Sequence, residues 1–218
     1  MSPLKEIADV LRIYPGVIFI VDTVSSFSAL SIPMDDLGID LMLTGSQKAL
    51  ALPPGLSLFA ASQPAFERAA ASPDRGYYFD LLEFKRNAED FMTPSTPTIS
   101  HIYALRSKLE EIFSEGLQNR FQRHIQTNRL VHEWVNANGF EFFAQEGYRS
   151  VTLTCIKNNR GIDVEAFAKR LREEHGFQID GGYGKIKGKT FRVSNMGDET
   201  VETMRPLLEA LTATLQTL

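Results

Sequence analysis

The chain alternates short apolar runs with longer stretches in which apolar residues recur every three or four positions. Short apolar runs bounded by turn residues are typical of buried strands, and the wider spacing is typical of amphipathic helices. The alternation therefore predicts an α/β protein. The predicted strands cover residues 17–21, 41–43, 56–60, 140–143, 151–156, 177–179 and 190–193. The predicted helices cover residues 2–12, about 97–115, 117–138, 164–174 and 198 onward.

Gly116 interrupts the long central helical pattern, and the order of elements changes after it. This predicts a domain boundary there, with residues 1–115 in a first α/β domain and residues 116–218 in a smaller one. Residues 23–40 separate the first two predicted strands. That stretch is long enough for a crossover between parallel strands, which needs about a dozen residues.

Composition narrows the class of protein. The net charge is −4 and no basic block is present, which argues against nucleic-acid binding because such proteins neutralise phosphates with lysine and arginine. No apolar run approaches the roughly 20 residues that span a membrane. Cys155 is the single cysteine, so no internal disulfide can form, which fits a reducing compartment. We therefore expect a soluble, cytoplasmic protein.

Two residues are candidates for chemistry because each directly follows an apolar run. Lys48 lies in a turn of small residues after residues 41–43, and Pro53-Pro54-Gly55 ends that turn. Asp22 ends the run of residues 18–21. A lysine held at a strand end can present its amine to a carbonyl group, and an aspartate on a neighbouring strand can balance a positive charge. These are the requirements of a pyridoxal phosphate (PLP) site.

Each candidate also has a simpler interpretation. A lysine in a Gly-Ser turn is, taken alone, most often a surface residue, and Asp22 could cap the following turn. The glycine-rich residues 181–190 resemble the end of a phosphate-binding P-loop, but Tyr183 replaces the required glycine and a strand pattern follows. We reject that interpretation. The four histidines lack metal-ligand spacing, so no metal site is predicted.

Several short motifs, in order along the chain, together resemble the class V aminotransferases, and most closely the alanine–glyoxylate and serine–glyoxylate branch. The motifs are Val21-Asp22-Thr23-Val24-Ser25-Ser26, Gly38-Ile39-Asp40, Thr44-Gly45-Ser46-Gln47-Lys48-Ala49-Leu50, Pro53-Pro54-Gly55, Tyr77-Tyr78-Phe79-Asp80, Thr96-Pro97, Glu115-Gly116-Leu117, Arg123-His124 and Gly188-Lys189-Thr190-Phe191-Arg192-Val193. The resemblance implies the C-terminal part of a fold-type-I large domain with a mostly parallel sheet, followed by a small α/β domain. It also implies a homodimer.

The resemblance assigns roles to individual residues. Lys48 would be the Schiff-base lysine and the proton carrier, and Asp22 would pair with the protonated pyridine nitrogen of PLP. Arg192 would bind the α-carboxylate of the substrate. The remaining cofactor-binding positions that the resemblance implies are Val24 under the ring, Gln47 at the phosphate, and Ser95 or Thr96 at the phosphate of the neighbouring subunit.

The implied activity is transamination between a small amino acid, such as alanine or serine, and a small 2-oxo acid, such as glyoxylate or pyruvate. Two alternatives stay open: related PLP chemistry, as in an aminophosphonate transaminase or a lyase, and a truncated, non-catalytic dimerisation remnant. Class V enzymes are longer, so the resemblance leads us to expect that the N-terminal part of the large domain, with its phosphate-binding turn and stacking aromatic residue, is lacking. Met1 is then either an internal methionine of a longer protein or the start of a truncated gene.

Overall fold

The computed structural model describes residues 1–218, which divide into two compact units. The first unit contains residues 2–27 and 32–111, and we call it the N-terminal unit. The second contains residue 1, residues 28–31 and residues 112–218, and we call it the C-terminal unit. Helices and strands alternate in both units, which confirms the α/β class. No helix combines the length and the apolar character that crossing a membrane requires.

The N-terminal unit is built on a three-stranded sheet with helices before, between and after its strands. Its strands are β1 (Ile20–Asp22), β2 (Leu41–Gly45) and β3 (Ser57–Ala61). Its helices are α1 (Leu4–Leu11), α2 (Met34–Leu37), α3 (Gln63–Ala71) and α4 (Leu81–Glu89), and α5 (Ile99–Glu115) starts in this unit. A small apolar core lies beneath β1 and contains Ala8, Phe19, Val21 and Ile39.

The sheet of the N-terminal unit has the order β1-β2-β3 and is mixed. Strands β1 and β2 are parallel, with Asp22 opposite Leu43, as the predicted crossover through residues 23–40 requires. Strands β2 and β3 are antiparallel. The expectation of a mostly parallel sheet is therefore corrected for these three strands. The physical reason is the connection after Gly45, which contains no helix and returns the chain directly beside β2.

The C-terminal unit is a four-stranded antiparallel sheet with three α-helices and a short 3₁₀ helix at Gly184–Ile186. Its strands are β4 (Glu141–Phe142), β5 (Leu153–Lys157), β6 (Asp180–Gly181) and β7 (Thr190–Ser194), in the order β4-β5-β7-β6. Its helices are α6 (Leu117–Ala137), α7 (Val164–His175) and α8 (Val201–Gln216). The strand predicted at residues 177–179 is wrong in position: Ile179 is buried in the core, but only the two residues after it pair with β7.

Aromatic side chains fill the core of the C-terminal unit. Phe191 on β7 lies at its centre, with ring contacts to Trp134, Phe140 and Phe167 at 6.5, 5.2 and 5.7 Å between centroids. Phe191 and Phe167 are fully buried. Edge-to-face contacts of this kind stabilise a core beyond the burial of apolar area alone. The core thus fixes β7, and with it the position of Arg192.

A buried polar network on α6 holds the loop that follows β7. His124 is fully buried; its Nδ1 lies 2.8 Å from the carbonyl of Arg120, and its Nε2 accepts a hydrogen bond of 3.1 Å from the backbone N–H of Gly197. Because Nε2 must accept, the bonded imidazole is neutral, with its proton on Nδ1. Asn195 adds hydrogen bonds to the carbonyls of His124 and Val151.

This network predicts a stability that depends on pH. Burial lowers the pKa of His124 below its ordinary value. The unfolded chain therefore binds a proton at about pH 6.5 that the native state excludes, and native stability falls as the pH drops below that value. For one proton the loss is at most about 1.4 kcal/mol per pH unit. We expect His124→Gln to be less stable at pH 7.5 and to lose less stability at pH 5.5 than the wild type.

Urea unfolding of both proteins at the two pH values measures this difference. Burial also lowers the pKa of His132, and that residue is present in both proteins, so its contribution cancels in the comparison. Parallel losses of stability in the two proteins would show that His124 does not titrate on unfolding in this range.

Candidate functional site

Asp22 is the last residue of β1, and its carboxylate is exposed at the carboxyl end of the strand. Its Oδ1 accepts a hydrogen bond of 2.8 Å from the backbone N–H of Val24. The turn is fixed by Thr23, which is buried: its backbone N–H and its hydroxyl donate to the carbonyl of Leu43 on β2, at 2.9 and 2.7 Å. The carboxylate therefore has one fixed partner at Oδ1, and its other oxygen, Oδ2, lies on the exposed side of the turn.

Lys48 follows the carboxyl end of β2 by three residues, in a turn anchored by Ser46. The Ser46 side chain is fully buried; its hydroxyl donates to the carbonyl of Pro53 at 2.7 Å and accepts from the backbone N–H of Leu56 at 3.3 Å. The backbone N–H of Ala51 closes the turn on the carbonyl of Lys48 at 2.8 Å. Lys48 itself is half-buried, and its amine makes no hydrogen bond or salt bridge to another protein group.

The exit of this turn is also fixed. Gly55 has a φ of +145°, and a Cβ there would lie 2.8 Å from Nε2 of His101 on α5. The same Nε2 lies 3.2 Å from the carbonyl of Pro54, and Nδ1 of His101 lies 2.6 Å from the hydroxyl of Thr98. Glycine is required at position 55 both by the backbone conformation and by the close approach of the imidazole.

The structure places the other predicted cofactor-binding residues as follows. Val24 is half-buried beside Asp22, and Gln47 is exposed beside Lys48. The Gln47 side chain folds over Gly45, where a Cβ would lie 2.5 Å from its Oε1. Ser95 and Thr96 are exposed between α4 and α5, and no hydrogen bond joins their hydroxyls to Asp22 or Lys48. The roles of these four residues stay predictions.

Arg192 lies in β7 of the C-terminal unit and is partly buried. Its Nη2 pairs with Oδ2 of Asp180, and its guanidinium lies 4.4 Å from the ring centroid of Tyr183. Its Nε is buried without a hydrogen-bond partner. Because Nε is buried, a further carboxylate reaches this unused donor only after a neighbouring group moves. The sequence did not point to Asp180 or Tyr183, since neither belongs to a recognisable motif.

The arrangement in the N-terminal unit has a definite chemical capacity. Because β1 and β2 are adjacent and parallel, Asp22 and the Lys48 turn lie at the same edge of the sheet. In open α/β sheets ligands bind at this edge. It offers an unpaired amine, able to attack a carbonyl group, and a carboxylate, able to stabilise a positive charge. Thr23 and Ser46, which hold these two groups in place, were not among the predicted site residues.

Comparison with known proteins identifies the family of this chain. The family model for class V aminotransferases matches residues 1–195, and the chain belongs to that family. The chain is 38% identical over 198 residues to an uncharacterized aminotransferase of Methanocaldococcus jannaschii, an alignment covering 90% of this chain and 51% of that protein. It is 35% identical over 183 residues to the serine–glyoxylate aminotransferase of Arabidopsis thaliana, covering 83% of this chain and 46% of that protein.

A solved structure shows the same fold. The crystal structure of alanine–glyoxylate aminotransferase from Nostoc sp. matches with a TM-score of 0.90 at 33% identity, over 98% of this chain and 57% of that chain. This confirms the predicted fold-type-I architecture and the predicted family. The chain spans about half the length of the curated relatives it matches.

Proposed function

We propose that this chain carries the lysine and aspartate of a PLP-dependent aminotransferase site. The proposal rests on one observation: an exposed Asp22 carboxylate at the carboxyl end of β1 and an unpaired Lys48 amine just beyond the carboxyl end of the adjacent parallel strand β2. Members of the class V family use PLP. The cofactor needs an amine for its carbonyl carbon and an anion for its protonated ring nitrogen, and these two residues fit both needs.

Each residue has a distinct task in this proposal. Lys48 Nζ would hold the cofactor at rest and would carry the proton between the α-carbon of the substrate and the cofactor. Asp22 would keep the proton on the ring nitrogen by its negative charge, with its orientation set by the N–H of Val24. When bound, PLP supplies the electron-withdrawing system that stabilises charge on the substrate. Val24, Gln47 and one of Ser95 and Thr96 would bind the ring and phosphate.

The substrates proposed are a small amino acid, such as alanine or serine, and a small 2-oxo acid, such as glyoxylate or pyruvate. The relatives described above are named for serine–glyoxylate and alanine–glyoxylate transamination. For substrate binding, we assign Arg192 to the α-carboxylate of the substrate. Its Nε has no hydrogen-bond partner, and a planar fork of donors matches a carboxylate.

Amino-group transfer tests the proposal directly. The purified chain, incubated with PLP, alanine or serine, and glyoxylate, is expected to form glycine together with pyruvate or hydroxypyruvate in equal amounts. Glycine without the second keto acid, or neither product from a folded chain, would contradict transamination. Release of ammonia or another fragment from the donor would favour the lyase alternative, and amino-group transfer from an aminophosphonate but from neither alanine nor serine would favour the aminophosphonate alternative. A folded chain that only self-associates would favour the non-catalytic remnant.

A homodimer is proposed on a separate observation. Large aromatic side chains on both sides of α4 are almost fully exposed, among them Tyr77 at 92%, Phe79 at 80% and Phe91 at 100%. The rings of Tyr78 and Phe79 are in contact, so exposed apolar groups adjoin one another before α4, and contiguous exposed apolar patches are typical of interaction surfaces. Light scattering is expected to give twice the chain mass of 24.4 kDa. Replacing Phe79 and Phe91 together by serine is expected to shift the protein to the monomer; an unchanged mass would exclude this surface.

A further inference from the structure

Asp180 and Arg192 face each other across two antiparallel strands. The register of β6 and β7 places Asp180 directly opposite Arg192, and the register of β5 and β7 places Cys155 on the other side of Arg192. Because side chains alternate between the faces of a sheet, these three point away from the face that holds Phe191 and Ile156. The Asp180–Arg192 ion pair is thus set by the register of the sheet.

The pair uses only part of the Arg192 fork. Nε and Nη2 form one edge of a guanidinium, and a carboxylate bound to that edge accepts two parallel hydrogen bonds. Asp180 takes Nη2 through Oδ2, while Nε stays without a partner. The same Oδ2 accepts a hydrogen bond of 2.7 Å from the hydroxyl of Tyr183, whose ring lies against the guanidinium. Asp180 therefore makes one hydrogen bond to the Arg192 fork, where a free carboxylate can make two.

We propose that Asp180 occupies Arg192 when no carboxylate substrate is bound, so that Asp180 determines which carboxylates Arg192 accepts. This inference rests on the proposed role of Arg192 in substrate binding. An incoming α-carboxylate displaces Asp180 because it satisfies both Nε and Nη2. The displaced Asp180 carboxylate stays within reach through the sheet register and through Tyr183.

The displaced carboxylate discriminates between substrates. A monocarboxylate brings one negative charge, which Arg192 neutralises. A short dicarboxylate brings a second negative charge into the neighbourhood of Asp180, where like charges a few ångströms apart repel. Asp180 therefore favours substrates with neutral side chains. This agrees with the proposed preference for small amino acids and small 2-oxo acids, and it makes Asp180 the residue responsible for that preference.

Binding of unreactive carboxylates tests the inference without relying on turnover. We would titrate the full chain with propionate and with succinate by calorimetry and follow the Arg192 guanidinium by NMR. Asp180→Asn removes the charge and keeps an oxygen acceptor for the Tyr183 hydroxyl. Its affinity for propionate is expected to rise about two- to fivefold, the range of exposed ion pairs, and its affinity for succinate by a larger factor. Glu141→Gln removes a charge from β4, where Lys157 is its partner, and should change neither affinity.

Arg192→Gln separates this inference from the proposed function. If Arg192→Gln loses propionate binding while Asp180→Asn binds as the wild type does, Arg192 keeps its role in substrate binding. The proposal that Asp180 occupies Arg192 in the free protein is then wrong. If Arg192→Gln binds propionate as tightly as the wild type, the role of Arg192 itself is wrong. Equal gains for propionate and succinate in Asp180→Asn would overturn the discrimination. Thermal melting of each variant ensures that only folded proteins are compared.

Discussion

Lys48→Ala is expected to abolish covalent attachment of PLP to this chain. In the wild type, borohydride reduction after incubation with PLP should place a single label on the peptide that contains Lys48, and the variant should carry none there. The physical reason is that the Lys48 amine is half-buried at a fixed strand end and engaged by no other protein group. Amino-group transfer should fall by at least the roughly 10²–10⁴-fold typical of losing a positioned proton carrier.

The matched control is Lys157→Ala, which removes an exposed lysine paired with Glu141 on the other sheet. It should leave the label on Lys48 and the rate of transfer unchanged. Mass spectrometry of the reduced, digested protein decides between the outcomes. A Lys48→Ala protein that is still labelled at one dominant lysine would show that another amine holds the cofactor. Label scattered over many lysines in the wild type would show that the site does not select Lys48.

The sequence predicted the strand-end placement of Asp22 and Lys48 because both follow short apolar runs, which are typical of strands. It did not predict what holds them. Thr23 acts through a hydrogen bond to the carbonyl of Leu43, which depends on β1 and β2 becoming neighbours, and Ser46 acts through a hydrogen bond to the carbonyl of Pro53, which depends on how the connection after β2 folds back. The length of residues 23–40 indicated that the two strands could be parallel neighbours, but it did not indicate which side chains would hold their ends.

The fold shows the same division between local and non-local information. Helix α7 was predicted almost to the residue, because Asp163 caps it and Gly176 ends it, and both signals are local. Helices α3 and α4 were not predicted: each has nine residues, and their caps, Ser62 and Asp80, lie among other turn-forming residues. The Asp180–Arg192 pair depends on the register of two strands that a glycine-rich connection separates. No sequence pattern indicated that register.

Asp22→Asn is expected to leave the protein folded and still able to bind PLP, while slowing amino-group transfer by about 100-fold or more, as expected when an electrostatic group at the reacting centre is lost. Asparagine keeps an oxygen that can accept the N–H of Val24, so the turn after β1 persists. What is lost is the negative charge that keeps the proton on the ring nitrogen. The substitution therefore removes the negative charge of residue 22 and keeps the geometry of the turn after β1.

Four measurements on Asp22→Asn, made beside the charge-matched and exposed control Asp74→Asn, test this role. Circular dichroism and thermal melting should match the wild type for both variants. The absorbance of bound PLP should change only in Asp22→Asn, because the protonation of the ring changes its spectrum. Single-turnover transfer from alanine or serine should be slow only in that variant. If transfer in Asp22→Asn proceeds at the wild-type rate, the carboxylate only orders its turn, and the positive ring nitrogen must be stabilised by a different group.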